Sequence, residues 1–164
     1  MIEIRKERYA FEELSVLASK AFEHHHGNSN HYSDTVKDNY RFKFTPEQLE
    51  LHFHRRDIGK YSTRFVAVDG TKYVGMIDVQ NQYILRRLYV DPDYLGQNIS
   101  TDLVNACIDY MKNETNETHL YAKTFLYHNM ASFWEGFGFT KGEITHLSAE
   151  SGYTYRTMIL DLSV

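Results

Sequence analysis

The chain holds one cysteine, Cys107, so no internal disulfide can form, and a reducing compartment is the simple expectation. It also lacks an excess of basic charge. Eighteen Lys and Arg face 22 Asp and Glu, for a net charge of −4, which leaves no whole-chain field to hold phosphates and argues against a nucleic acid partner. No run approaches the roughly 20 apolar residues that a bilayer-crossing helix needs, and the opening "MIEIRKERYAFEEL" has no apolar signal core. The expectation is a soluble cytoplasmic protein with no membrane partner. Linkers, internal repeats and low-complexity segments are absent too, so the 164 residues read as one domain over 1–164. What the chain has in excess is aromatic: 13 Tyr and 10 Phe point to a packed core and well-lined grooves.

The periodicity divides the chain into elements. "IEIR" alternates as a short first strand, and from Tyr9 to His26 apolar residues recur at helical spacing, with Gly27 placed to stop the helix. "GNSNHYSDTVKDNY" is polar and turn-rich and reads as a loop over 27–40. Thr45, Pro46 and Gln48 suggest a capping box opening a second helix. The period then changes to two in "RFVAVDG" and "KYVGMIDVQ", whose Asp69-Gly70 junction predicts a hairpin. "YILRRLYV" has apolar residues on both faces, as a central strand would, and Asp91-Pro92 ends it. A helix follows from Gly96, then the strand "THLYAKTFLY", a helix in "HNMASFWEGFGF", and two last strands. The order β-α-α-β-β-β-α-β-α-β-β predicts a mixed sheet covered by helices.

The strand-turn-helix at 83–112 carries the first chemical signal. A helix N-terminus offers unpaired N–H groups and a partial positive charge, which suit a phosphate wherever the loop lets it approach. Gly96 permits approach, Asn98 tolerates a positive φ and also makes a good N-cap, and Ser100 is small and carries a hydroxyl. Taken alone, the stretch is equally an ordinary capped turn without a ligand.

A second stretch adds weight. "LYVDP" at Leu88 to Pro92 and "FWEGFGF" at Phe133 to Phe139 together resemble the two signature motifs of the GNAT superfamily of acyl-CoA-dependent N-acetyltransferases. Those motifs run as a "LYVxP" strand followed by R/Q-x-x-G-x-G/A, and as "A-x-x-F-Y/F-E-x-x-G-F". The resemblance implies an α/β (α+β) fold: a mixed, mostly antiparallel sheet of six to seven strands flanked by about four helices. It implies acetyl-CoA as cosubstrate and a primary amine of a small molecule or peptide as acceptor, joined by direct attack without a covalent enzyme intermediate. Leu88, Tyr89 and Val90 would lie along pantetheine, with a backbone N–H near Tyr89 polarising the thioester carbonyl. Leu95, Gly96, Gln97, Asn98, Ile99, Ser100 and Thr101 would hold the pyrophosphate. Asn129, Phe133 and Trp134 would touch the cofactor from the second motif.

Four positions depart from the family pattern. Leu95 stands where the family has Arg or Gln, Asn98 replaces a glycine, and Ser100 replaces Gly or Ala. These changes keep a main-chain cradle and predict weaker binding. Trp134 replaces a tyrosine that in many relatives protonates the departing thiolate, and an indole N–H cannot do so. Tyr127 is a substitute donor, or else a core or rim tyrosine. The departures keep open a second function, an acyl-CoA-binding sensor that is catalytically weak or inactive.

Other residues carry open alternatives. Asp78, on the third predicted strand, is a candidate base for the acceptor amine or a surface carboxylate. Arg86 and Arg87 could meet a substrate carboxylate, or form a solvated pair or a buried salt bridge. His24, His25 and His26 end the first helix, where the dipole favours them; successive helical positions diverge by roughly 100°, so no metal site is expected. With His31, His52 and His54 they are expected to shape acceptor choice. Cys107 falls on an apolar stripe and reads as inert core. The assembly is expected to be a monomer or a homodimer, with the aromatic strand near the C-terminus as a candidate edge.

Overall fold

The computed structural model describes residues 1–30, 32–53, 62–125, 130–146 and 154–164. Its elements are β1 (Ile2–Lys6), α1 (Phe11–His26), α2 (Asp34–Lys43), α3 (Pro46–Phe53), β2 (Ser62–Asp69), β3 (Lys72–Gln80), β4 (Ile84–Val90), α4 (Ile99–Glu114), β5 (His119–Phe125), α5 (Ala131–Glu135), β6 (Thr140–His146) and β7 (Thr154–Asp161). A 3-10 turn at Pro92–Tyr94 joins β4 to α4.

The hairpin forms as the sequence predicts. Asp69 pairs with Lys72 across a turn in which Gly70 takes φ +62°. Two expectations fail nearby. Part of the segment read as loop is α2, started by Ser33, whose hydroxyl accepts from the Val36 amide at 3.3 Å. Its apolar anchors Val36, Tyr40 and Phe44 are spaced four apart among polar residues, and Tyr40 and Phe44 each lie 5.5 Å from the Phe22 ring. The Thr45 hydroxyl turns back to donate to the Phe42 carbonyl rather than forward over the start of α3.

The strands form one seven-stranded sheet in the order β1-β2-β3-β4-β5-β7-β6. Neighbours are antiparallel except for the parallel pair β4 and β5. The aromatic strand near the C-terminus is β7, which lies inside the sheet, so it is not the edge it was expected to be. β6 returns along its outer side, and the edges are β1 and β6.

Helices cover both faces. On one, α4 and α5 bury Leu103, Val104, Cys107, Met111 and Trp134 against Ile77, Leu120 and Met158. On the other, Leu14, Leu17 and Phe22 of α1, Phe44 and Leu49 close over Val66, Val68 and Met76. Cys107 is fully buried and its thiol is pushed well up by that burial, so it stays a neutral core residue. Among the described residues no helix is long and apolar enough to cross a membrane.

Candidate functional site

Two features of β4 open the sheet at its centre. Met76 pairs with Tyr89 but Asp78 pairs with Arg86, so β4 carries one extra residue opposite Ile77. The bulge is marked by Arg87 at φ +55°, a conformation few non-glycine residues adopt. On its other side β4 meets β5 at a single register pair, Ile84 with Tyr121, with the Tyr121 amide donating to the Tyr83 carbonyl at 2.8 Å. β5 pairs with β7 along its other edge from His119 to Phe125, and toward β4 it has no register pair beyond Tyr121 among the described residues. The second half of β4, with Leu88, Tyr89 and Val90 only half-buried, therefore lines a cleft whose β5 side lacks a ladder among the described residues. Unpaired main-chain groups along such a cleft suit an amide-bearing arm.

The loop after β4 is fixed at its base. The Asp91 amide donates to the Val74 carbonyl at 2.8 Å. The buried Asp91 carboxylate accepts from Lys20 at 2.9 Å and from the Asp93 amide at 2.9 Å, and pairs with Lys72 at 3.3 Å. Burial alone would push this carboxyl up. The bonds from Lys20, the Asp93 amide and Lys72 reverse that and hold it below the usual carboxylate range. The Tyr94 hydroxyl donates to Asp69 at 2.8 Å.

From this base the chain runs out into solvent over Leu95 to Asn98. Gly96 has φ +83° with open space around its missing Cβ, and Asn98 takes φ +61° as the N-cap of α4, without a side-chain capping bond. The first intrahelical bond of α4 runs from the Asp102 amide to the Asn98 carbonyl at 3.0 Å. The amides of Ile99, Ser100 and Thr101 precede it and have no partner within the helix. An anion can reach them past Gly96.

Gly75 fixes where this N-terminus sits. A Cβ there would lie 2.8 Å from Ile99 Cγ2 and 3.0 Å from Leu103 Cδ1, so the first turn of α4 rests directly on the β3 backbone. The sequence signal was a glycine inside a strand, which often marks close approach.

The acceptor-side face holds a buried ion pair. Asp78 accepts from Arg64 Nε at 2.6 Å and Arg64 Nη2 at 2.8 Å, and from Arg87 Nη1 at 3.3 Å. Asp78 is 0% and Arg64 1% exposed, and the Arg64 guanidinium lies 4.9 Å from the Phe53 ring. The surface-carboxylate alternative for Asp78 is thus corrected, because the cross-strand register puts Arg64 directly opposite it. Both its oxygens are occupied by guanidinium donors, which leaves it poorly placed to take a proton from an amine. Arg87 forms the salt bridge expected of one of the two arginines, whereas Arg86 stays exposed. Burial pushes the Tyr89 phenol well above its usual value, so it keeps its proton. Its ring meets Phe44 edge-on at 5.2 Å.

In the second motif the Met130 amide donates to the buried Thr124 hydroxyl at 2.9 Å, which ties the start of α5 to β5. Trp134 is only 6% exposed and packs on Phe133 at 5.0 Å and Phe139 at 5.4 Å. Its ring is largely enclosed by the core, and Phe133 is half-buried beside it. Tyr127 and Asn129 lie outside the described residues, as do His31, His54 and the side chain of His52. The His24 and His25 rings meet at 85°, and among the described residues no group of three His, Cys, Asp or Glu could hold a metal ion.

Comparison with known proteins agrees with this geometry. The family model for an acetyltransferase (GNAT) domain matches residues 29–162. The fold is similar to the PaiA N-acetyltransferase of Thermoplasma acidophilum, solved in complex with coenzyme A. The TM-score is 0.73 at 20% identity, covering 96% of this chain and 98% of that one. It is also similar to the ribosomal-protein-S18-alanine N-acetyltransferase of Escherichia coli, with a TM-score of 0.72 at 17% identity over 100% and 96% of the chains. No curated protein matches the chain.

Proposed function

The chain belongs to the GNAT acetyltransferase family, and on that premise we propose that it is an N-acetyltransferase moving an acetyl group from acetyl-CoA to a primary amine. The observation that carries the reading is the α4 N-terminus. Three amides without helical partners stand behind Gly96, where the open space would accept a pyrophosphate, beside the divergence of β4 and β5. The PaiA protein bound to coenzyme A supports the same cosubstrate here.

Acetyl-CoA would supply a thioester already activated toward amines, so the protein's task is placement. Amides from Gly96 to Thr101 would hold the pyrophosphate, with the α4 dipole adding to them. Main-chain groups of Leu88 to Val90 would pair with the pantetheine amides, and an N–H near Tyr89 would donate to the oxyanion that develops as the amine attacks. Asp78 would hold Arg64 and Arg87 in place, and the amine proton would leave through water. Tyr127 is the proposed donor to the departing thiolate. Leu95, exposed where relatives place a charged or polar side chain, contributes no charge to phosphate binding.

Calorimetry with acetyl-CoA beside a thiol-release assay over an amine panel tests the reading. Binding with turnover is expected. Binding without turnover on any amine would make the protein an acyl-CoA sensor, and no binding at millimolar acetyl-CoA would overturn both.

A further inference from the structure

The bulge in β4 has an electrostatic consequence on the acceptor side. In a regular strand Arg86 and Arg87 would point to opposite faces. Here Arg86 sits in register with Asp78 while Arg87 also bonds Asp78, so both guanidinium groups serve the face covered by α1 to α3. α2 ends on that face with Lys43, whose ammonium stands 5.3 Å from the Tyr40 ring. The adjoining Phe44 packs on Tyr89, which locks the end of α2 to the cleft strand. Partial desolvation, then Arg87 and Arg86, hold the Lys43 ammonium below its usual range, and desolvation followed by Arg87 does the same to Arg86.

Among the described residues the charges beside the cleft do not balance. Arg64 and Arg87 bond one carboxylate, Asp78, while Arg86 stands in register with it and Lys43 lies within electrostatic reach of both Arg86 and Arg87. Arg86 and Lys43 are exposed and have no ion-pair partner among the described residues. Gathering like charges at the wall of a cleft is unfavourable unless an anion joins them. A cluster of glutamates does exist on the helical layer, in a cavity of about 440 Å³ lined by Glu12, Glu13, Glu47 and Glu50. Glu12, Glu13 and Glu47 lie in the first turns of α1 and α3, where the helix dipoles account for them.

Resting on the acetyltransferase reading, we propose that the acceptor is an amine carrying a compact oxyanion, a carboxylate or a phosphate, bound by Arg86 and Lys43 with Arg87 held alongside by Asp78. The same charges repel polyamines. Arg86 offers the flat, forked donor set that suits either oxyanion, and Tyr40 flanks the position with an aromatic face.

The test uses the full chain saturated with CoA, titrated calorimetrically with amino acids, phosphoethanolamine, amino-acid amides and spermidine, alongside turnover of each with acetyl-CoA. An acid binding at least tenfold tighter than its amide identifies a carboxylate, and phosphoethanolamine alone showing the preference identifies a phosphate. Arg86→Gln and Lys43→Gln are expected to erase the preference by raising KM for the anionic amine, leaving acetyl-CoA affinity unchanged, and Arg86→Lys to restore part of it. Amides or spermidine binding as well as the anionic amines, or a preference that survives both Gln variants, overturns the proposal. Oxyanion binding without turnover overturns the enzymatic reading while leaving this site in place.

Discussion

Gly75 of β3 lies directly beneath Ile99 of α4, so close that a Cβ would stand 2.8 Å from Ile99 Cγ2. The contact links strand to helix start, and it sets the depth at which the α4 amides are presented. Gly75→Ala is expected to lift the first turn of α4. The overpacking should cost about 1–3 kcal/mol in stability. CoA affinity should fall with it, read by calorimetry beside a melting curve; an unchanged affinity would detach the α4 amides from phosphate binding.

Gly96 poses the opposite case, since nothing crowds its missing Cβ and the constraint is its φ of +83°. Gly96→Val adds backbone strain of about 1–2 kcal/mol and fills the approach to the amides. CoA affinity is expected to drop about tenfold or more, the equivalent of roughly 1.4 kcal/mol. Gly70→Val, at φ +62° in the remote hairpin, should lower the melting temperature and leave CoA binding alone.

Asp78→Ala would strand Arg64, which is 1% exposed, without its carboxylate. A loss of about 3–5 kcal/mol is expected, seen as a lower denaturant midpoint. If Asp78 were instead the base, Asp78→Asn would abolish kcat and the acid limb of the pH profile with stability nearly intact.

The Asp91 carboxyl is held below its usual value by Lys20, the Asp93 amide and Lys72 against the effect of burial. A depressed carboxyl contributes stability above its unfolded value, near pH 4, and loses it as pH falls through the folded value. Below about pH 4 the protein should therefore weaken, and Asp91→Asn should flatten that part of the stability profile. Equal slopes in the two proteins would contradict the assignment.

Much of this was legible in the sequence because it depends on local pattern. The hairpin at Gly70, the helix after Gly96 and the "LYVDP" and "FWEGFGF" stretches follow from turn chemistry and periodicity. The Arg64–Asp78 pair was not legible, since it depends on a bulge between β2 and β3. Asp69 pairs with Lys72, and a regular ladder from there would set Arg64 opposite Ile77; the irregularity between Ala67 and Val68 moves it to Asp78. The bulge in β4 likewise puts two successive arginines to one use, which no period-two reading allows. α2 was not legible because widely spaced apolar residues in a polar segment read as loop, and only the packing of Tyr40 and Phe44 on Phe22 gives them a common face. The interior place of β7 was not legible because strand order is set by non-local pairing that the sequence does not display.

The central claim is that the amides opening α4 receive the pyrophosphate of acetyl-CoA, and amide-resolved NMR of the full chain titrated with acetyl-CoA tests it most directly. The predicted result is that the largest shifts fall on Gly96 to Thr101, with a second set along Leu88 to Val90. Saturable binding that leaves both stretches unmoved would contradict it.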